Sequence, residues 1–183
     1  MKGHVILSHG SDSGPDATKV SALAQVAESC GWRASRPDYR DLDARGMVAC
    51  VAPRIARLRH KVRPGERTVF AGSSMGSFVS GLASLETTID ALFLLALPLE
   101  IPGYGAFDAS RVPTWIVHGW SDELCPASEV VTFARQRRAN LLMLADTHRL
   151  ADHLELIGDH FRAFLRAVEA EPDLASLPDI EQT

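Results

Sequence analysis

Thr68-Val69-Phe70-Ala71-Gly72-Ser73-Ser74-Met75-Gly76 is the stretch that decides how this chain folds. A short apolar run leads straight into a Gly-x-Ser-x-Gly pentapeptide, and small and apolar residues follow from Ser77 to Leu85. The run before the pentapeptide fits a buried parallel strand, and the run after it fits a packed helix. A serine hydroxyl is a poor nucleophile at neutral pH. It attacks an ester only when it is exposed, held in a strained turn and hydrogen-bonded to a base. A sharp strand-to-helix turn presents it in that way, and the tight backbone there favours glycine two positions to either side. Ser74 is therefore the candidate nucleophile. The pentapeptide alone arises by chance from ordinary glycine and serine usage, so its strand–turn–helix setting carries the argument.

The same alternation extends in both directions. Val5–Ser8 reads as a first strand, and Pro15 to Ser29 as a helix with Pro15 at its first position and Gly31 at its stop. Arg33–Arg36 is a short strand that ends at Pro37. Met47, Val48, Val51, Ile55, Leu58 and Val62 recur at helical spacing, which predicts one helix over about residues 43–62. Its arginines Arg54, Arg57 and Arg59 then belong to a solvated helix face. Further apolar strands are expected at Ala91–Ala96, Thr114–Val117 and Leu141–Ala145, with helices at Pro126–Gln136 and about 150–168. Strands that alternate with helices and are apolar throughout predict an α/β three-layer sandwich, a six-stranded parallel sheet with helices on both faces.

The length of 183 residues suits one domain, expected over residues 1–168, followed by an acidic C-terminal tail at residues 169–183. That tail carries five acids and no lysine or arginine. A net charge of −4 gives no global pull toward nucleic acid or an anionic membrane, so neither is an expected partner. No apolar run approaches the ~20 residues that span a bilayer, and Met1 to Leu7 reads as a strand rather than a signal peptide. Cys30, Cys50 and Cys125 are odd in number and lack metal-site spacing. They point to three unpaired thiols in a reducing cytoplasm, with no metal and no cofactor.

A serine nucleophile needs a histidine base, and the histidine needs an acid to fix its tautomer. In open parallel sheets the reacting groups lie just beyond the carboxyl ends of strands. Asp122 lies in the loop after Thr114–Val117, just before a helix, and His148 lies in the loop after Leu141–Ala145. Ser74, Asp122 and His148 occur in the chain order of one hydrolase class. Glu100, Glu123 and Asp146 are weaker candidates for the acid. His153 and His160 fall in the expected final helix, and His118 at a strand end braces its loop. No such turn surrounds Cys125. Acyl transfer also needs donors for a developing oxyanion. The backbone N–H of Met75 follows the nucleophile, and the N–H of Ser11 lies in the loop after the first strand.

His9-Gly10, Gly72-Ser73-Ser74-Met75-Gly76, His118-Gly119-Trp120-Ser121-Asp122 and Thr147-His148-Arg149 together resemble the α/β-hydrolase superfamily, over residues 5 to about 165. The resemblance implies Ser74, Asp122 and His148 as nucleophile, acid and base, and the strand order 2-1-3-4-5-6 in this chain's own count. The first strand matches the family's third, so two leading strands are missing. Only Leu97 to Val112 stands where many members insert a helical lid. The chain is thus similar to the small lidless serine esterases related to dienelactone hydrolases. The expected activity is hydrolysis of small esters or thioesters with short or compact acyl groups. The other reading is a catalytically silent binding or interaction module on the same scaffold. Leu99, Tyr104, Phe107 and Trp120 are the expected walls of a shallow substrate cleft. Leu141–Ala145, as an apolar edge strand, predicts a cover from the tail or from a second copy in a homodimer.

Overall fold

Thr68–Ser73 forms a central strand of the sheet. The computed structural model describes residues 1–171. Six strands are all parallel: β1 (His4–Ser8), β2 (Arg33–Ser35), β3 (Thr68–Ser73), β4 (Ala91–Leu95), β7 (Thr114–Gly119) and β8 (Asn140–Leu144). Their order is β2-β1-β3-β4-β7-β8. Between β4 and β7 a separate antiparallel hairpin pairs β5 (Glu100–Ile101) with β6 (Gly105–Ala106). With that hairpin set aside, the order is the 2-1-3-4-5-6 that the resemblance implied. Ser8 stands opposite Gly72, Ser73 opposite Leu95, and Gly119 opposite Leu144. The carboxyl ends of β1, β3, β7 and β8 therefore emerge at one rim.

The strands read as continuously apolar because both of their faces are covered. Ile6, Phe70, Leu92, Leu94 and Ile116 join one core, with helices α2 (Arg40–Asp43), α3 (Val51–Arg59), α4 (Met75–Ser84) and α5 (Ala127–Arg137). Val5, Leu7, Val69, Ala71, Phe93, Leu95 and Val117 alternate with them and join the other, under α1 (Thr18–Ser29) and α6 (Leu154–Ala170). The α1 stripe is Val20, Leu23, Ala24 and Ala27, as its spacing predicts. On α6, Phe161 and Phe164 pack at a tilt against Phe93, with ring centroids 4.8 and 5.2 Å away. Among the described residues no helix is long and apolar enough to cross a membrane. Cys30, Cys50 and Cys125 are all free thiols.

Several local expectations are corrected. The helix expected over 43–62 is shorter, α3 alone, and turns that include Gly46 at φ +93° separate it from α2. Pro53 explains the break. Its ring clashes with the carbonyl four residues back, so it is tolerated only in a helix's first turn, and α3 begins two residues before it. Arg54 is not on a solvated face; it is fully buried and ion-paired with Asp43 at 2.5 Å. Pro15 is not the first residue of α1, which starts at Thr18 after a turn closed by the Ala17 N–H on Gly14 O. The last helix starts at Leu154, because Leu150 takes φ +50° and His153 stands at the N-cap position. It runs to Ala170, so Glu169 is helical and bonds Lys2 and Trp32. The rest of the tail, residues 172–183, lies outside the described residues.

Candidate active site

Ser74 sits at the tip of the turn between β3 and α4 with φ +55° and ψ −121°. A non-glycine residue held there stores about 1–3 kcal/mol of strain and persists only where its surroundings over-determine it. Here they do. The Ser74 N–H donates to Leu95 O at 2.9 Å, and its carbonyl accepts the N–H groups of Ser77 and Phe78. The buried Ser77 hydroxyl lies 2.8 Å from Gly72 O and accepts the Leu95 N–H at 3.0 Å, tying the turn to β4. The motif's glycines act through close approach rather than unusual φ. A Cβ on Gly72 would stand 2.3 Å from Gly76 O, and one on Gly76 would stand 2.0 Å from Ser8 O.

The fold brings Ser74, His148 and Asp122 together from three different strand ends. His148 Nε2 lies 2.8 Å from Ser74 Oγ, and His148 Nδ1 lies 3.0 and 2.9 Å from the two Asp122 oxygens. A carboxylate only accepts, so Nδ1–H donates to Asp122 and leaves the Nε2 lone pair for the serine hydroxyl. Asp122 Oδ1 also accepts the Leu124 and Cys125 N–H groups at 2.9 and 2.8 Å. Burial pushes its pKa up, but the His148 bond and the two backbone donors outweigh this and hold it below the usual carboxylate value. His118, wholly buried, donates from Nε2 to Cys125 O at 2.9 Å and stands 3.3 Å from Asp122 Oδ2. It braces the acid's loop, as its place at a strand end suggested.

The two expected oxyanion donors follow β1 and the nucleophile. Ser11 is half-buried in the loop after β1, and Met75 is the first residue of α4. Neither N–H has a protein acceptor among the described residues. A Cβ built on Gly10 would lie 3.7 Å from Ser74 Cβ, so that loop packs beside the nucleophile.

The four expected cleft walls are Leu99, Tyr104, Phe107 and Trp120. Leu99 and Phe107 line a shallow depression of about 480 Å³ with Ser128, Glu129, Thr132, Phe133 and Gln136. That lining includes neither Ser74 nor His148. Phe107 is only 8% exposed and mainly packs the core. Tyr104 leans edge-on against Phe78 at 6.0 Å, and Trp120 is 60% exposed on the acid's loop. Of the weaker acid candidates, Glu100 is exposed on the hairpin, Glu123 accepts the His148 N–H at 3.3 Å, and Asp146 binds His153 at 2.9 Å.

One grouping was not visible in the sequence spacing. Asp122, Cys125 and His148 offer ligand atoms within 4.8 Å of one another, a set that could hold a metal ion. Its chemistry fits poorly. A thiol binds metal as thiolate, and burial together with the Asp122 charge pushes Cys125 up to about 12. His148 Nδ1 and Asp122 are also engaged with each other.

The sequence matches no family model and no curated protein. Solved structures do match. A protein from Xanthomonas campestris pv. campestris, assigned to the hydrolases of the alpha/beta superfamily, is 45% identical, with a TM-score of 0.86. The alignment covers 90% of this chain and 99% of that one. The chain belongs to the α/β-hydrolase superfamily. Two more distant structures share the fold. One is Est1E from Butyrivibrio proteoclasticus with ferulic acid bound, 20% identical over 92% of this chain and 90% of that one, TM-score 0.76. The other is a Xanthomonas campestris a/b serine hydrolase without a lid, 17% identical over 92% and 84%, TM-score 0.68. In this chain the segment between β4 and β7 carries the short β5–β6 hairpin.

Proposed function

We propose that the protein is a serine hydrolase that cleaves carboxylic esters or thioesters of short or compact acyl groups through an acyl-enzyme at Ser74. The observation that carries this is the unbroken run of contacts Ser74 Oγ to His148 Nε2 at 2.8 Å and His148 Nδ1 to Asp122 at 2.9 Å. Ser74 Oγ attacks the acyl carbon while its proton passes to His148 Nε2. Asp122 steadies the charged imidazole. The Ser11 and Met75 N–H groups stabilise the oxyanion, a task for which donors without a protein acceptor suit them. The carbon–oxygen or carbon–sulfur bond then breaks as His148 gives its proton to the leaving group. Water attacks the acyl-enzyme and loses a proton to the same nitrogen, which returns it to Ser74 Oγ as the ester bond breaks and the acid leaves.

Short acyl groups suit a site with a two-stranded hairpin where larger members carry a lid. Burial and the Asp122 charge push the Cys125 thiol up to about 12, which disfavours the thiolate a metal would need, and the proposed reaction uses no metal. The edge strand β8 carries half-buried Leu141, Leu142 and Met143, and pairing there with a second copy belongs to the same proposal. Light scattering that shows only monomer would remove that part. The main test compares kcat/KM for chromogenic acetate, butyrate and decanoate esters, with and without EDTA, alongside fluorophosphonate labelling. Acetate or butyrate should lead, EDTA should change nothing, and Ser74 should carry the label. A decanoate preference, or loss in EDTA restored by metal, overturns the substrate or the metal-free reading. A folded protein that neither labels nor turns over is the silent binding module instead.

A further inference from the structure

Arg54 is the largest wholly buried side chain among the described residues, and it has no part in the proposed reaction. It stands on α3, and a bidentate ion pair fixes it from behind: Nε to Asp43 Oδ1 at 2.6 Å and Nη2 to Asp43 Oδ2 at 2.5 Å. Its guanidinium lies over the Tyr39 ring, 4.7 Å from the centroid. The forward edge donates to two successive carbonyls of the loop after β1, His9 O at 2.8 Å and Gly10 O at 3.2 Å. Two further donors converge on Gly10 O, the His9 Nδ1–H at 2.7 Å and the Ser13 hydroxyl at 3.2 Å. The His9 tautomer is fixed for this task, because Nε2 accepts the Tyr39 N–H at 3.1 Å.

Gly10 O and the Ser11 N–H belong to one peptide unit. That unit is planar and trans, so its oxygen and hydrogen point in opposite directions. Donors that hold the oxygen thereby set the direction of the hydrogen. A positive charge on the oxygen also polarises the unit and strengthens the N–H as a donor, more so away from water. We propose that Arg54 is a positioning residue that aims and polarises the Gly10–Ser11 peptide toward the oxyanion forming at Ser74. A purely structural ion pair would not need a fork spread across two consecutive carbonyls beside the nucleophile. The inference rests on the proposed function for its catalytic consequence, although the peptide's orientation can be read without any turnover.

The test pairs two variants with two readouts. Arg54→Lys keeps the charge and loses the fork, and its kcat should fall about 10-fold. Arg54→Met with Asp43→Leu leaves no unpaired charge in the core, an exchange that buried ion pairs often tolerate without loss of stability. Its kcat for a chromogenic acetate ester should fall about 10²-fold with KM within about 3-fold, the size expected when one oxyanion donor is misplaced. The amide resonance of Ser11 should shift, while those of Met75 and Phe78 stay in place. A double variant that is as stable as the parent, keeps the parent's kcat and leaves the Ser11 amide unmoved overturns the proposal. A parent that shows no turnover would sink the serine hydrolase reading, and the Ser11 amide would then still decide whether Arg54 orients that peptide.

Discussion

Two carboxylate–histidine pairs stand side by side at the rim of the sheet. Asp122 follows β7 and meets His148 Nδ1 at 2.9 Å; Asp146 follows β8 and meets His153 Nδ1 at the same distance. Each aspartate also accepts two backbone N–H groups, from Leu124 and Cys125 in one case and from Thr147 and Asp152 in the other. In both, burial raises the carboxyl pKa and the hydrogen bonds more than reverse it. The difference lies beyond the histidine. His148 Nε2 reaches Ser74 Oγ at 2.8 Å, whereas His153 sits at the N-cap position of α6, with its side chain 30% exposed. An acid–histidine pair is thus a general way to fix a loop. It becomes a candidate relay only where the far nitrogen meets a hydroxyl on a strained turn.

The largest effect tests that last contact. Ser74→Ala should lower ester turnover about 10⁶-fold, the scale seen when a serine nucleophile is removed, and should abolish fluorophosphonate labelling with the fold intact. His153→Ala should leave kcat within about 3-fold. Next comes the choice of acid. Asp122→Asn should cost up to about 10⁴-fold in kcat through the wrong imidazole tautomer, and Asp146→Asn or Glu100→Gln less than 10-fold. If Asp146→Asn costs more activity than Asp122→Asn, the two pairs have been assigned the wrong way round.

Stability should reverse the ranking of the pairs. Asp146→Ala orphans two backbone donors and the His153 ring, and should destabilise by about 1–3 kcal/mol in urea unfolding. His153→Ala should cost about 1 kcal/mol. An Asp146→Ala protein as stable as the parent would mean that this pair fixes nothing.

The smallest effect is a shared pH signature. Both aspartates have folded pKa values below the unfolded one. Their stabilisation is present above about pH 4 and is lost as pH falls through the lower folded values. The buried His4 differs, because burial, with Arg33 adding to it, holds it down at about 4. An unfolded histidine takes up its proton near 6.5, so His4 withdraws stability as pH falls from 6.5 to about 4. A thermal melt should therefore decline in two limbs. His4→Gln should flatten the upper one, and Asp146→Asn should shrink the lower. A melting temperature constant from pH 7 to 3 would contradict both.

The parts of this protein legible in the sequence are those whose cause is local. The apolar run into Gly72–Gly76 specified a strand, a turn and a helix, because side-chain period and glycine spacing act within a few residues. Pro53 was a local signal too, and it places the start of α3 where the apolar spacing of 43–62 alone predicts a continuous helix. The parallel sheet followed from strands apolar on both faces, and the places of Ser74, Asp122 and His148 followed from strand ends. Tertiary structure alone set the contact distances, since the approach of His148 to Ser74 depends on the packing of loops 74 residues apart in the chain. It alone buried Arg54, whose partners lie 11, 44 and 45 residues away. A charged residue on a helix reads as solvated until the fold supplies a carboxylate and two carbonyls at hydrogen-bond distance. No local pattern records them, because they come from other segments of the chain.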